Sequence, residues 1–411
     1  MTGSTPEGAS SRAAGEGLTA LSLGGPRQRD AGHAAGRDAR GYCLWDPLAD
    51  DERTWWRDVR ICVVASSRFP LAEPFAGGLE AHSHQLVLEL RRRGHEVVVF
   101  AAPGSDTALG ATVLPVQPFV ATPEARADVA APPERWMEEH HAYLDLMLSL
   151  RDAEVDVIHN NSLHHLPIAL SPLVAAPVVT TLHTPPLPWL ESAVQFASSR
   201  SRFIAVSAAM AAGWAPTVDS VVVPNGIDPS RWRVGPGGPR AVWVGRLVPE
   251  KAPHLAIAAA RRAGMGLDLV GPIGDQAYVA REVAPYLGEQ VRHVGHLAHR
   301  DLDVVLGRAA VAVVTPAWDE PFGLVAVEAM AAGTPVAAFA RGALAEIVDT
   351  TSGRLAAADD VDALADAMHA AARLDRRQVR RRVEEAFSLS AMVDAYERVY
   401  AEAVTALPDA A

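Results

Sequence analysis

"ICVVASSRFPLAEPFAGGLEAHSHQLVLELRRRGHEVVVFA", residues 61–101, decides the fold of this chain. "ICVVA" (61–65) is a β-branched apolar run, suited to a strand buried on both faces. A loop ending in Gly77 and Gly78 follows. "LEAHSHQLVLELRRR" (79–93) then puts Leu79, Leu86, Val87 and Leu90 on one helical stripe, and Gly94 stands where such a helix ends. "HEVVVFA" (95–101) is the next strand. Strand, loop, helix and strand in that order seed a doubly wound parallel sheet.

The alternation runs on in both directions of the argument. Strands are expected at "VDVIH" (155–159), "PVVTTL" (177–182), "FIAV" (203–206) and "SVVV" (220–223). "PPERWMEEHHAYLDLMLSL" (132–150) reads as a helix opened by proline, whereas 104–132 reads as irregular. "PNGID" (224–228) is a strong turn, and it leads into the Gly/Pro-rich "PSRWRVGPGGPR". A second series follows: "AVWV" (241–244), "LDLV" (267–270), "VRHV" (291–294), "VAVVT" (311–315) and "PVAAF" (335–339). The division is therefore a first α/β domain over 59–225, a linker over 226–240, a second α/β domain over 241–387 and a final helix over 388–405. Residues 1–58, rich in Gly, Ala, Ser, Arg and Asp, read as a disordered extension without the apolar core of a signal peptide. Two open α/β domains in tandem leave a cleft between the C-terminal edges of their sheets, where ligands bind.

Bulk properties narrow the function. The 411 residues carry a formal charge of −12. That argues against a general nucleic-acid or anionic-membrane binder, since both need net positive surface. The arginine clusters "RRRG" (91–94) and "RRQVRRRVEE" (376–385) read as solvated helix faces, leaving at most a weak peripheral membrane contact. The two cysteines, Cys43 and Cys62, form no metal-ligand spacing and no disulfide framework, so a reducing cytoplasm is the simplest compartment. Val157–Leu190 is uncharged but is cut by six prolines, which rules out a membrane span.

The chemistry sits in loops that follow strands. "VGRLVPEK" (244–251) contains the chain's single lysine; the other 36 of its 37 Lys and Arg residues are arginine. Gly245 turns the chain off its strand, and Arg246 and Lys251 bring two positive charges to the cleft. Together they suit a diphosphate, with the planar Arg fork on one phosphate and the compact ammonium between oxygens. "TPAWDEPFGLVAVEAMAAGTPV" (315–336) places Glu320 in a loop and Glu328 in the second turn of a helix that starts near Gly323. The amides of Phe322, Gly323 and Leu324 form an anion site at that helix start. Carboxylates beside an anion site make sense when the anion carries hydroxyls, because a carboxylate accepts their hydrogen bonds. A diphosphate flanked by two sugars is a nucleotide sugar.

"GRLVPEK" together with E-x7-E in "EPFGLVAVEAMAAGTPV" resembles the retaining glycosyltransferases of family four, with the GT-B fold of two Rossmann-like domains facing across a cleft. The resemblance covers residues 59–405. It implies that Arg246 and Lys251 hold the donor diphosphate, Glu328 the ribose hydroxyls and Glu320 the hydroxyls of the transferred sugar. The amides of Phe322, Gly323 and Leu324 would touch sugar and phosphate. "HVGHL" (293–297), with Val294, would line the nucleobase pocket through backbone. Gly77 and Gly78 match the family's glycine loop, and His183, in "TTLHTP", stands where the family has a histidine facing the donor sugar. Catalysis would then rest on Glu320, His183, Arg246 and Lys251. Ala252 departs from the glycine that often follows the lysine, with little effect expected.

The implied reaction is transfer of a hexose from a UDP- or GDP-sugar to an acceptor hydroxyl, with retention and without metal or other cofactor. His159, Asn161, His164 and His165 remain open between acceptor contacts and structure, and three histidines without a nearby carboxylate or cysteine do not make a metal set. A sugar phosphorylase, a nucleotide-sugar epimerase and a non-catalytic nucleotide-sugar sensor are the rival readings. Acceptor identity, linkage and oligomeric state are not readable.

Overall fold

The computed structural model describes residues 59–406; the 1–58 extension, with Cys43, lies outside the described residues. Two parallel sheets result. The first has the order β3-β2-β1-β4-β5-β6-β7. Its strands are β1 (Arg60–Val64), β2 (Glu96–Ala101), β3 (Thr112–Val113), β4 (Val157–Asn160), β5 (Val178–Leu182), β6 (Arg202–Ala205) and β7 (Val221–Val222). The second has the order β10-β9-β8-β11-β12-β13. It comprises β8 (Ala241–Val244), β9 (Leu267–Val270), β10 (Val291–Gly295), β11 (Val311–Val314), β12 (Val336–Phe339) and β13 (Gly353–Ala356). Strand order reverses at β1/β4 in one sheet and at β8/β11 in the other. At such a point neighbouring loops diverge and open a crevice. This is the doubly wound, two-domain architecture that the alternation predicts.

Two strands escape the sequence reading. β3 is two residues long, and it interrupts the 104–132 segment together with the 3-10 turn Thr107–Leu109 and the short helix Pro123–Arg126. β13, "GRLA", begins with glycine and carries an arginine, so its composition hides its place at the sheet edge.

The chain crosses between the domains twice, and the crossings run side by side. Ile227 bridges Ser388 in parallel register. A Cβ on Gly226 would sit 2.4 Å from the Ser388 carbonyl oxygen, so only glycine fits there. The final helix, Leu389–Thr405, then packs on the first domain. Met392, Val393, Tyr396, Val399 and Tyr400 enter the same core as Leu86, Leu90 and Val99.

The arginine clusters correct the solvated-face reading. Arg93 is 14% exposed and bonds Glu89, Asp394 and Glu397. Its bonds to Asp394 and Glu397 join the first-domain helix Gly78–Arg92 to the final helix. On the helix Arg376–Ala386, Arg376 donates to the carbonyls of Gly235, Gly307, Ala309 and Ala332 and to Thr334 Oγ1. Arg380 donates to the carbonyls of Pro229, Trp232 and Ala331. Both side chains tie carbonyls of the Gly/Pro-rich 226–240 segment (Pro229, Trp232 and Gly235) to carbonyls of the second domain. Among the described residues no helix is long and apolar enough to cross a membrane. Cys62 lies buried on β1 as a free thiol whose pKa burial pushes up to about 12, which removes it as a nucleophile.

Candidate active site between the two sheets

A cavity of about 440 Å³ opens between the facing sheet edges. It is lined from the first domain by Gly77, Gly78, Glu80 and His183, and from the second by Arg246, Lys251, Glu320, Phe322, Gly323, Leu324 and Glu328. Of the residues to which the resemblance gives a donor-binding or catalytic role, Val294 alone does not line it, and the open residues His159, Asn161, His164 and His165 do not line it either. Val294 is 42% exposed on β10, while its near neighbours His296 and Leu297 face the cavity. The strand continues one step further than the reading allowed before the chain turns inward at Gly295 (φ +98°).

The lysine loop is braced from below. Trp243 Nε1 on β8 donates to Thr315 Oγ1 at 3.1 Å, and Thr315 donates to the Ala252 carbonyl at 3.0 Å. Ala252 adopts φ +45°, a left-handed conformation that costs a residue with a Cβ about 1–2 kcal/mol. The alanine is therefore strained where glycine would not be. Arg246 is 42% exposed and lies 4.0 Å from Glu250, so its guanidinium is only loosely held.

Lys251 and Glu320 meet directly, with Nζ 2.7 Å from Oε2. The side chains are 26% and 11% exposed. The ammonium also lies 5.2 Å from the Trp318 ring centroid, a cation–π distance. Sequence reading assigned the two residues to different parts of a ligand and missed their contact, because no local pattern marks side chains 69 positions apart. Glu320 is fixed at its backbone: its carbonyl accepts the Ala343 amide at 2.9 Å.

Gly323 caps the helix Leu324–Ala331 at φ +95°, and a Cβ there would lie 2.9 Å from Leu344 Cδ2. Phe322, Gly323 and Leu324, at this helix start, line the cavity. Glu328, one turn on, lies partly exposed at the cavity wall. It has no hydrogen bond or ion pair to any described residue, and desolvation raises its pKa to about 7 against a smaller lowering by Arg231.

The opposing wall contributes a carboxylate that sequence reading missed. Glu80 is buried at the third position of the helix Gly78–Arg92, and its carboxylate folds back against Gly77 at the helix start. Burial raises its pKa, with backbone bonds and Arg246 across the cleft pulling the other way. The signal was present in "GGLE", three residues from the cap. His183 closes the wall at the end of β5. Its Nε2 lies 2.8 Å from Asn161 Oδ1. Burial, reinforced by His82 and His159, keeps it far below the usual histidine range and therefore neutral.

The other open residues take structural places. His159 is buried between Thr181 Oγ1 (2.8 Å) and Tyr400 OH (2.8 Å), with its pKa lowered to about 3 by burial. His164 Nδ1 accepts the Leu166 amide at 3.2 Å. His140, His164 and His165 bring ring nitrogens within 4.8 Å of one another, the one such group among the described residues. The Leu166 bond, however, leaves the His164 proton on Nε2, the nitrogen it would need for a metal.

Comparisons with known proteins show the family of the chain. The family profile described as "Glycosyl transferases group 1" matches residues 228–387, and that described as "Glycosyltransferase Family 4" matches 76–231. A Mycobacterium tuberculosis glycogen synthase is 31% identical over 79% of this chain and 91% of its own length. A D-inositol 3-phosphate glycosyltransferase of Mycobacterium avium is 30% identical over 75% of this chain and 84% of its own. Among solved structures, Anabaena Alr3699/HepE, determined with UDP and glucose, superposes with a TM-score of 0.65. It covers 85% of this chain and 100% of its own at 21% identity, a likeness of fold. With a GT-B fold, two matched family profiles and relatives aligned over most of their length, this chain belongs to the group 1 glycosyltransferases and transfers glycosyl groups from nucleotide sugars.

Proposed function

We propose that the chain is a retaining, metal-independent hexosyltransferase of the cytoplasm that takes its sugar from a UDP-sugar, with a GDP-sugar second, and delivers it to an acceptor hydroxyl. The observation that carries this reading is the convergence of Lys251, Arg246 and the Gly323 helix start on one cavity, which Glu320 and Glu328 also line. Two cations and a helix N-terminus match a diphosphate. Glu328, without a protein partner, matches the ribose diol. Glu320, already held by Lys251, matches a sugar hydroxyl that shares its second oxygen.

As the sugar–phosphate bond breaks, negative charge grows on the diphosphate. Lys251, held by Glu320, and the helix amides stand ready to receive it, with the more loosely held Arg246 beside them. The incoming hydroxyl attacks from the same face, and a donor phosphate oxygen accepts its proton. The enclosing walls limit the access of water. UDP is favoured over other nucleotides because the structurally similar Anabaena protein was determined with UDP and with UDP-glucose.

Thermal unfolding with UDP, GDP, ADP and their hexose conjugates tests this, since a ligand of the folded state raises Tm by mass action. A shift with UDP and UDP-glucose supports the reading. A folded sample that responds to none of the nucleotides would overturn it.

A further inference from the structure

Asn161 is wholly buried at the end of β4, and its backbone amide continues the β1–β4 pairing by donating to the Val64 carbonyl at 2.8 Å. Its side chain makes one hydrogen bond, which Oδ1 accepts from His183 Nε2. Its Nδ2 is buried with no partner. Leaving a buried donor unmatched costs stability, which an apolar residue would avoid. The single bond it does make defines His183. An amide oxygen only accepts, so the His183 proton resides on Nε2 and the lone pair on Nδ1. Nδ1 has no partner among the described residues and is not among the buried unmatched atoms, so it is open to the cavity that His183 lines.

The groups around this ring are named by element. His82, on the helix Gly78–Arg92, lies 5.0 Å away ring to ring. His159 stands beside it on β4. Tyr396, on the final helix, hydrogen-bonds His82 Nε2 at 3.3 Å and Thr181 Oγ1 at 3.2 Å. Glu80, Lys251, Arg246, Glu320 and Glu328 border the same cavity. Burial keeps His82 neutral as well, lowering its pKa to about 4. None of the groups packed directly on His183 is a carboxylate that would hold it as a cation.

We propose that Asn161 is a positioning residue that fixes the tautomer of His183 and so presents Nδ1 to the cleft as an acceptor for one hydroxyl of the transferred sugar. The proposal rests on the reading of the cavity as a nucleotide-sugar site. It separates recognition of the sugar from recognition of the nucleotide, which lies against the other wall.

The test uses the full chain in two measurements. Nitrogen-15 NMR of His183 reads the tautomer without any ligand, and Nε2–H with an unprotonated Nδ1 is expected. Calorimetric titration then compares UDP with UDP-glucose. Asn161→Ala is expected to bind UDP within about twofold of wild type and to lose about five- to tenfold of the extra affinity that the glucose confers. Asn161→Asp keeps an acceptor oxygen opposite Nε2 and should restore that increment at pH 9. It should lose the increment toward acid, because the new carboxylate favours the imidazolium, which has no lone pair at Nδ1. Taking the difference between the two ligands cancels any titration that affects the nucleotide. An Nδ1–H tautomer in wild type, or equal increments in wild type and both variants, would overturn the proposal. Failure of wild type to bind UDP at all would instead strike the donor reading, and the NMR spectrum would still decide the tautomer.

Discussion

At the scale of single residues, the site depends on one ammonium and one unpartnered carboxylate. Lys251 was legible because a chain that otherwise writes its positive charge as arginine breaks that habit in a strand-end loop. Its bond to Glu320 was not, since it depends on two loops meeting in space. Lys251→Ala should lower kcat/KM by about 10²- to 10³-fold, the usual loss for one fixed donor to a developing charge. Steady-state kinetics with the donor found by the thermal screen check this, and a variant within threefold of wild type would refute the diphosphate role. Glu328 gives a pH prediction. Its pKa is raised to about 7, so the free site is half protonated near neutrality. Bonds to ribose hydroxyls favour the carboxylate, so nucleotide binding releases a proton. Affinity should therefore fall as pH drops below about 7, by up to tenfold per unit, and be flat above it. The same shift means that the folded state holds this proton more tightly than the unfolded chain, so Glu328 subtracts stability as pH rises from its ordinary range toward 7. Calorimetry in buffers of different ionisation heat would count the proton, and Glu328→Gln should abolish both the count and the slope.

At the scale of elements, hydrophobic period identified the buried strands and the long helices, because those segments owe their form to burial that composition records. It failed where side chains are used for something other than covering a core. The helix Arg376–Ala386 has the pattern of a solvated face, yet Arg376 supplies five hydrogen bonds to the surrounding chain. Periodicity reports which way a side chain points and is silent about whether carbonyls await it there. Arg376→Ala would leave several of those acceptors unmatched and should cost about 3 kcal/mol or more. Arg377→Ala, at an exposed position of the same helix, should change stability by less than about 0.5 kcal/mol. Urea denaturation of the pair decides between a solvated helix, which predicts equal small effects, and a staple. The final helix shows the opposite case. Its stripe of Met392, Val393, Tyr396, Val399 and Tyr400 was visible as apolar, but only the structure shows its polar ends, with Tyr400 OH on His159 and Arg93 on Asp394 and Glu397.

At the scale of the whole molecule, two domains meet beside the cavity through both apolar and polar contacts: Ala205, Val206 and Met210 of the first share a buried core with Phe322, Leu344 and Ile347 of the second. Ser207 Oγ donates to the Pro321 carbonyl, Glu346 accepts the amides of Ala208 and Ala209, and His296 Nε2 meets the Phe75 carbonyl. The chain crosses between the domains only at the paired segments around Ile227 and Ser388. A narrow double crossing allows one domain to turn against the other about this shared core. Another close approach is at Gly78, where a Cβ would lie 3.1 Å from Leu324 Cδ1 of the opposite domain. Gly78 was legible as part of a glycine loop, but its reason was not: the side chain it lacks would occupy space needed by the other domain. Its backbone is not in the left-handed region, so a side chain there meets a neighbour and no conformational penalty. A graded series follows. Gly78→Ala asks Leu324 to move by a few tenths of an ångström and should be nearly neutral. Gly78→Val cannot be absorbed by one flexible side chain, so it should hold the domains apart. Because the reacting groups come from both walls, even a separation of about 1 Å should cost on the order of 10²-fold in kcat/KM, while Tm stays close to that of wild type. X-ray scattering in solution would show a larger radius of gyration for the valine variant that UDP fails to reduce. If instead Gly78→Val loses activity with unchanged dimensions, the glycine serves a direct backbone contact to the ligand, and closure is not what Leu324 and Gly78 limit.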